Sequence, residues 1–200
     1  MSGKEIDLEP IAEIVGIGIG RAADVLNTML HSHVSLTAPS LAIARPEELE
    51  KYFSPRGSES LSAVEMEFSG DFDGNAQLVF ASEDAGRLVD CITDDVSAAP
   101  EDLDSIRAGT LCEIGNIVIN ALLGSIVNVL RSELEYTVPL YTEGSIDDVL
   151  RNVRNEAEVI IIVRARFEIE NLSIDGDLLI FLSLSAFTKL EVAIERFVDG

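Results

Sequence analysis

Glu113, Asn116 and Asn120 are the residues whose types and spacing could perform chemistry. They follow one another along CEIGNIVINALLG, residues 112–124, a segment that is otherwise strongly apolar. Residues three and four positions apart share one face of an α-helix, so the three polar side chains form a stripe. The apolar residues around them have the spacing of a helical face that packs on a core: Leu111, Ile114, Ile117, Val118, Ala121, Leu122 and Ile126. We therefore expect the stripe to face outward.

The chemistry open to a Glu and an Asn is narrow. The pair supplies no nucleophile and no set of metal ligands, and an asparagine side chain does not titrate. What the pair can do is orient a water molecule or a partner group by hydrogen bonding. A polar stripe is also what the solvent side of any amphipathic helix presents, so a functional interpretation needs support from the rest of the chain.

The composition is that of a globular protein. The chain has 200 residues, of which 47% are hydrophobic and 25% are charged, enough for one well-buried domain or two small ones. No apolar run approaches the roughly 20 residues that span a bilayer, and MSGKEIDLEP has no signal-peptide core, so we expect a cytoplasmic protein without a membrane segment. Two cysteines and two histidines without ligand spacing argue against a metal site or a disulfide framework.

The net charge excludes one class of partner. Fourteen basic and 36 acidic residues give a formal charge of −22. Such a surface repels nucleic acid and anionic lipid, and the chain has no basic stripe that would hold phosphate groups. We therefore expect no nucleic-acid partner. Solubility alone is a sufficient reason for the acidity of most such chains.

A comparison of the chain with itself reveals an internal duplication. Shifted by 100 residues, the segment 13–39 aligns with 113–139 without a gap, and the identical pairs are Glu13/Glu113, Ile14/Ile114, Ile17/Ile117, Ile19/Ile119, Leu30/Leu130, Ser32/Ser132, Thr37/Thr137 and Pro39/Pro139. The offset is much longer than a solenoid repeat. It predicts one domain built from two half-repeats, about 8–93 and 102–198, joined by a connector over 94–101.

Each half has the same predicted order of helix, strand, strand, strand, helix. The long helices fall at about 8–31 and 102–131, followed by extended segments at 34–44 and 134–143 with a central proline that indicates an edge or a bend. Asp73-Gly74 and Asp175-Gly176 then predict hairpins between apolar strands. Helices at 82–93 and 185–198 close the halves. The fold class is therefore α+β, a two-layer arrangement with a continuous six-stranded antiparallel sheet, long helices packed on it and a pseudo-two-fold axis.

The second half carries a motif that points to a family. The motif is E-x2-N-x22-P, formed by Glu113, Asn116 and Pro139. In this motif and in its duplicated architecture, the chain resembles the CheC, CheX and FliY chemotaxis phosphatases over nearly its full length. Family members usually have Asp or Ser four residues before the Glu, where this chain has Gly109. That departure bears on rate more than on identity.

The resemblance implies one working site. In the first half Glu13 and Pro39 keep the motif spacing, but Gly16 stands where the asparagine is required, so this half-site is degenerate.

The three glycines of GIGIG, residues 16–20, follow no strand and lack a phosphate-loop lysine, which excludes a nucleotide loop. We instead expect these small residues to let α-helices approach closely.

The resemblance also implies the reaction and its partner. It predicts hydrolysis of the aspartyl phosphate on a CheY-like response regulator, with Asn116 orienting the attacking water and Glu113 pairing with a lysine of the regulator, which brings its own Mg²⁺. Asn120 is either a further contact or an ordinary solvated residue. Pro139 is expected to shape the chain rather than to touch the partner, because its ring fixes φ.

Two other interpretations remain open at this point. A non-catalytic protein of the FliM type has the same fold and would bind or sequester the regulator, and a phosphatase of this kind could also serve a two-component pathway unrelated to motility. Some family members bind the receptor deamidase CheD, and the resemblance would place that contact on the helix at 82–93. The presence of both terminal helices favours a monomer.

Overall fold

The computed structural model describes residues 8–30, 33–53, 60–93, 100–151, 157–169 and 172–199. Its helices are α1 (Glu9–Leu30), α2 (Pro46–Phe53), α3 (Ser82–Thr93), α4 (Pro100–Leu130), α5 (Ile146–Val149) and α6 (Leu184–Asp199). Its strands are β1 (Val34–Ala44), β2 (Leu61–Gly70), β3 (Gly74–Ala81), β4 (Leu134–Tyr136), β5 (Leu140–Gly144), β6 (Val159–Ile169) and β7 (Leu172–Leu182). Most of the expected connector, 94–101, lies outside the described residues, and α4 begins within it at Pro100.

All strands of the described residues pair in one antiparallel sheet. Their order is β1-β6-β7-β3-β2-β4, and β5 also pairs with β2, beside β4. The predicted class, helices on a continuous antiparallel sheet, is confirmed. The strand count differs from the expected six because the segment 134–143 is not one strand. It forms two short strands that share one edge of the sheet.

Proline disturbs both edges of the sheet at corresponding positions. In β1 the register against β6 shifts between Thr37 and Ser40, on either side of Pro39. At the other edge the pairing stops at Tyr136 and resumes at Leu140, on either side of Pro139. Proline cannot donate the hydrogen bond that a ladder requires, so it is tolerated at an edge or a bulge. The expected bend is therefore present in both halves.

The two half-repeats exchange their edge strands. β1 precedes β2 and β3 in the chain but pairs with β6, and β4 and β5 precede β6 and β7 but pair with β2. The centre of the sheet is the β3 to β7 pair. The sheet is thus symmetrical about its middle, and each edge is completed by the opposite repeat.

The helices divide between the two faces of the sheet. Buried residues of α1, α3, α4 and α6 pack with alternate strand residues in the larger core, whereas α2 and α5 cover a smaller core on the opposite face.

By length and composition the stretch Asp104–Leu130 could cross a membrane, contrary to the expectation from the sequence. Half of its most apolar window is buried inside the protein, and its buried residues belong to the larger core, which accounts for that composition.

Only one glycine of GIGIG allows a close helix approach. A Cβ atom on Gly18 would lie 2.7 Å from the Cα atom of Leu122 in α4, so α1 and α4 touch backbone to backbone there. A Cβ on Gly16 or Gly20 would meet nothing within 4 Å. The packing role expected for these glycines is correct for Gly18 and wrong for Gly16 and Gly20, which face outward.

The second predicted hairpin turn is misplaced. Asp175 and Gly176 lie inside β7, opposite Arg166 and Ala165 of β6, and the strands close instead at Ile169 and Leu172. A Cβ on Gly176 would come within 2.6 Å of the Phe80 ring, so this glycine makes room for an aromatic side chain rather than for a turn. The first hairpin is confirmed, with Asp73 in the link and Gly74 beginning β3.

Candidate functional site

Helix α4 presents Glu113 on its outer surface. Leu111, Ile114 and Val118 are buried in the core, and a Cβ on Gly115 would lie 2.5 Å from Val64 of β2, so this side of the helix rests directly on the sheet. The Glu113 side chain points the other way and is exposed. Among the described residues its carboxylate has no hydrogen bond or ion pair, so it is available to a group outside the chain.

Asn116 and Asn120 are joined by a hydrogen bond. The Nδ2 of Asn120 donates to the Oδ1 of Asn116 at 2.7 Å, and both side chains are partly exposed. An amide oxygen has two lone pairs and an amide nitrogen has two N–H groups. After this bond, Asn116 therefore retains one acceptor site and both donors, held in a defined orientation one turn beyond Glu113.

Pro139 lies next to the start of the motif, across 27 residues of sequence. The Cys112 thiol donates to the Pro139 carbonyl oxygen, with the sulfur 3.9 Å from it. Burial raises the pKa of the Cys112 thiol, which favours the protonated form that can donate. The contact fixes the β4 to β5 link against α4, immediately before Glu113.

Exposed apolar side chains flank Pro139, one in the β4 to β5 link and one at the start of β5. Val138 is 80% exposed and Leu140 is 65% exposed. They flank Pro139 on both sides in the sequence. Through the Cys112–Pro139 contact, these two apolar side chains lie near the start of the motif.

Arg107 is a supporting residue that sequence reasoning did not identify. Its Nη2 donates to the Ser82 carbonyl oxygen at 3.0 Å, and its Nη1 lies 3.9 Å from Glu143 Oε2. These contacts tie the first part of α4 to α3 and β5. The available signal was that Arg107 is the single basic residue between Pro100 and Leu130.

Two positions where the motif departs from the family pattern are open to solvent. Gly109 is exposed and a Cβ there would meet nothing within 4 Å, so the helix could carry a side chain at that position. In the first half, Glu13 and Gly16 are both exposed on α1, and the space beside Gly16 is also open. Pro39 lies at the register shift of β1. The degenerate half-site thus lacks an amide but has room for one.

The described residues contain no group of three or more His, Cys, Asp or Glu side chains that could hold a metal ion. The side chains of the stripe, Asn116 and Glu113, offer hydrogen bonding and charge.

A sequence comparison connects the chain with a flagellar phosphatase. No family model matches the chain. Over 136 residues it is 26% identical to the flagellar motor switch phosphatase FliY of Bacillus subtilis (strain 168), a match that covers 68% of this chain. The chain spans about a third of that relative, since the match covers 35% of its length.

Solved structures share the fold over nearly the whole chain. FliY from Thermotoga maritima has a TM-score of 0.75 at 21% identity and covers 98% of this chain and 100% of its own. FliM in the FliM–SpeE complex from H. pylori has 0.71 at 16%, covering 99% and 98%. The CheX–CheY–BeF3–Mg²⁺ complex from Borrelia burgdorferi gives 0.54 at 17%, covering 90% and 99%. By sequence the chain is similar to FliY, and its fold is the one that FliY and CheX share.

Proposed function

We propose that this protein accelerates hydrolysis of the aspartyl phosphate on a CheY-like response regulator. The observation that carries the proposal is the exposed stripe on α4, in which Glu113 is free toward the outside and Asn116 is oriented by Asn120. The similarity to FliY and to the CheX of the CheX–CheY complex supports the choice of substrate.

In this mechanism Asn116 positions the attacking water. Its Oδ1 has a lone pair left to accept a hydrogen bond from water, and its Nδ2 can donate to a phosphoryl oxygen or to the partner. Water attacks phosphorus, the bond to the aspartyl oxygen breaks, and the products are inorganic phosphate and a free carboxylate. Because phosphoryl transfer has a loose transition state, holding the water in line supplies most of the acceleration.

Glu113 sets the register of the two proteins. An exposed carboxylate one turn before Asn116 can form a charge-assisted hydrogen bond with a lysine of the regulator. The charge of the phosphoryl group is balanced in this proposal by Mg²⁺ and lysine of the regulator. That division is consistent with a chain of net charge −22 that is poorly suited to hold a free phosphate.

The apolar link between β4 and β5 completes the proposed docking surface. Val138 and Leu140 are exposed beside Pro139, which the Cys112 thiol holds against α4. Their burial against the regulator would contribute affinity without a charge, at roughly 25 cal/mol per Å² of apolar surface. We further propose that the protein acts in the cytoplasm as a monomer.

The test is the loss of phosphate from phosphorylated receiver domains of the same organism in the presence of the purified protein. We expect the wild type to accelerate phosphate loss and Asn116→Ala to stimulate it about 10²-fold less. A loss of this size is typical when an enzyme loses a group that positions a reactant or stabilises the transition state. Asn128→Ala, an exposed asparagine farther along the same helix, is the matched control. Equal activity of Asn116→Ala and wild type on a receiver that both bind would refute the mechanism.

A binding role without catalysis is the second candidate. The likeness to FliM at a TM-score of 0.71, together with a degenerate first half-site, favours it. A protein of this kind would bind the phosphorylated receiver without shortening the lifetime of the phosphate. Measurement of binding and of phosphate loss on the same receiver separates the two functions.

A further inference from the structure

Arg21 is an exposed arginine of α1 that reaches across the line of contact between α1 and α4. Its Nη1 donates to the Ser125 Oγ of α4 at 3.3 Å. The two helices touch there, because a Cβ on Gly18, three residues before Arg21, would come within 2.7 Å of the Cα of Leu122, three residues before Ser125. Arg21 therefore belongs to the first repeat but lies beside the helix of the second repeat, which carries the polar stripe.

The guanidinium of Arg21 keeps most of its hydrogen-bonding capacity. It has five N–H donors, and the bond to Ser125 uses one of them. Asp24, three residues later on α1, is at a spacing that permits an ion pair. Arg21 nevertheless forms no ion pair with Asp24 or with any other carboxylate of the described residues. Its positive charge is thus available to a group outside the chain.

Arg21 is also an isolated positive charge on the helix pair. It is the single basic residue of α1, and α4 has none after Arg107. The 100-residue duplication places Ala121 at the matching position of α4, so the second repeat has no counterpart. The two half-sites therefore differ in opposite ways: α4 has the asparagine that α1 lacks, and α1 has an arginine that α4 lacks.

A receiver centred on Asn116 would extend as far as Arg21. Ser125, which Arg21 contacts, comes nine residues after Asn116, or about 14 Å along the helix axis. A standard protein–protein interface buries about 800 Å² on each partner, which is the area of a disc of about 16 Å radius. The partly exposed α4 residues from 120 to 124 are Asn120, Ala121 and Gly124, whose short side chains leave Arg21 accessible to a partner.

The phosphorylated surface of a receiver carries negative charge. In the proposed function the receiver holds Mg²⁺, which proteins bind through carboxylates and phosphate oxygens. The phosphoryl group is itself anionic. An arginine complements such a surface because its planar guanidinium pairs with a carboxylate through two parallel hydrogen bonds. In a chain of net charge −22, an arginine beside the docking surface also reduces the repulsion between two acidic proteins.

We propose that Arg21 is a receiver-binding residue outside the motif, whose guanidinium pairs with a carboxylate next to the phosphorylated aspartate of the receiver. The inference rests on the proposed function, because it takes the receiver to dock over Asn116. Arg21 contributes to affinity and to the choice of receiver, whereas the water is oriented by Asn116 alone. The working site is thus assembled from both repeats, with the amide from α4 and the positive charge from α1.

The test is binding of wild type and Arg21 variants to a CheY-like receiver of the same organism, loaded with Mg²⁺ and BeF3⁻ as a stable mimic of the phosphoryl group. We expect Arg21→Gln to raise Kd about 3- to 10-fold, and Arg21→Glu to raise it further because two carboxylates would then face each other. Arg21→Lys, which keeps the charge, should recover part of the affinity. All differences should shrink at high salt.

Two controls separate this role from a structural one. Arg45→Gln removes an exposed arginine just after β1 and should leave Kd unchanged. Ser125→Ala removes the partner of Arg21 within the chain and should also leave Kd unchanged. Phosphate loss at saturating Arg21→Gln should stay within about twofold of wild type, because a contact made equally before and in the transition state affects binding alone.

The outcomes distinguish this inference from the proposed function. A wild-type Kd in Arg21→Glu, or an equal rise in Kd in Arg21→Gln and either control, would overturn the inference while leaving the catalytic proposal in place. If Arg21→Glu loses its cooperative thermal transition, Arg21→Gln decides. Binding that depends on Arg21 without accelerated phosphate loss would refute catalysis alone. Absence of binding by the wild type would refute both.

Discussion

The side chain of Asn120 donates a hydrogen bond to the side chain of Asn116, with 2.7 Å between nitrogen and oxygen. The two residues are one helical turn apart, so the bond needs no distortion of the backbone. It restricts the rotamer of Asn116 before any partner arrives. Asn120 is thus a positioning residue for the amide that we propose to orient water.

Asn120→Ala should reduce stimulated dephosphorylation without weakening the complex. We expect the rate of stimulated dephosphorylation to fall about 3- to 10-fold. Without Asn120, the Asn116 side chain would lose its conformational freedom only in the transition state, which would raise the barrier by roughly 1 kcal/mol. Single-turnover phosphate loss at saturating protein measures the effect, and Asn128→Ala is the control. A wild-type rate in Asn120→Ala would make the hydrogen bond irrelevant to catalysis.

Glu113→Ala should weaken the complex with phosphorylated receiver more than it slows the chemical step. One charge-assisted hydrogen bond to a partner lysine contributes roughly 1.5 to 3 kcal/mol, so we expect at least about a tenfold higher Kd at low salt. The difference should shrink at high ionic strength because exposed charges are screened. Fluorescence anisotropy with labelled receiver measures Kd. The control is Asp104→Ala, which removes an exposed acid from the same helix; an equal effect of both variants would assign the loss to net charge alone.

Gly16→Asn should restore partial activity to a protein whose second site is disabled. The background is Asn116→Ala, and the new asparagine would stand on the exposed face of α1, where a Cβ meets nothing within 4 Å, one turn after Glu13. Asparagine is also slightly better than glycine inside a helix. Phosphate loss should exceed the Asn116→Ala background. Gly20→Asn in the same background tests whether any new amide on α1 has this effect. If the Gly16→Asn double variant is folded and still binds receiver but has no more activity than the background, the first face has diverged beyond its motif.

Gly18→Ala should destabilise the fold, whereas Gly20→Ala should not. At Gly18 the added methyl group would lie 2.7 Å from the Cα of Leu122 and 3.2 Å from the carbonyl oxygen of Ala121, both backbone atoms. Overpacking of this kind costs about 1 to 3 kcal/mol, or about 2 to 10 °C in Tm for a chain of this size. Gly20 faces open space, so alanine there should add up to about 1 kcal/mol of helix stability. Thermal unfolding followed by circular dichroism separates the two, and equal Tm values would contradict the close contact of α1 with α4.

The elements with strong local patterns could be predicted from the sequence. The spacing of apolar residues predicted α1 and α3 to within one residue at each end, and it predicted β1 at its observed bounds. It also assigned Glu113, Asn116 and Asn120 to one helical face, because a helix has a fixed period. The hydrogen bond between the two asparagines depends on their rotamers, which the period does not determine.

Long-range contacts account for what local patterns missed. Asp175-Gly176 has the composition of a hairpin turn, but Gly176 faces Phe80, nearly 100 positions earlier in the chain, and the strand continues through it. The thiol contact of Cys112 with Pro139 likewise joins segments that no local pattern relates. The sequence showed that the proline was at a set distance from the motif, and the structure shows how that distance brings it beside α4.

The exchange of edge strands has a consequence for how the protein can be divided. A polypeptide that ended after α3 would contain β1 without β6, its hydrogen-bonding partner, and would expose an unpaired strand. A second copy of the same repeat could supply the missing pairing only by exchanging its own edge strand, as in a symmetrical dimer. The duplicated chain therefore supplies within one polypeptide the edge-strand pairing that a single repeat could gain only by forming a dimer. If the chain were cut between α3 and α4, the two pieces should be insoluble or unfolded apart and should recover the sheet when refolded together.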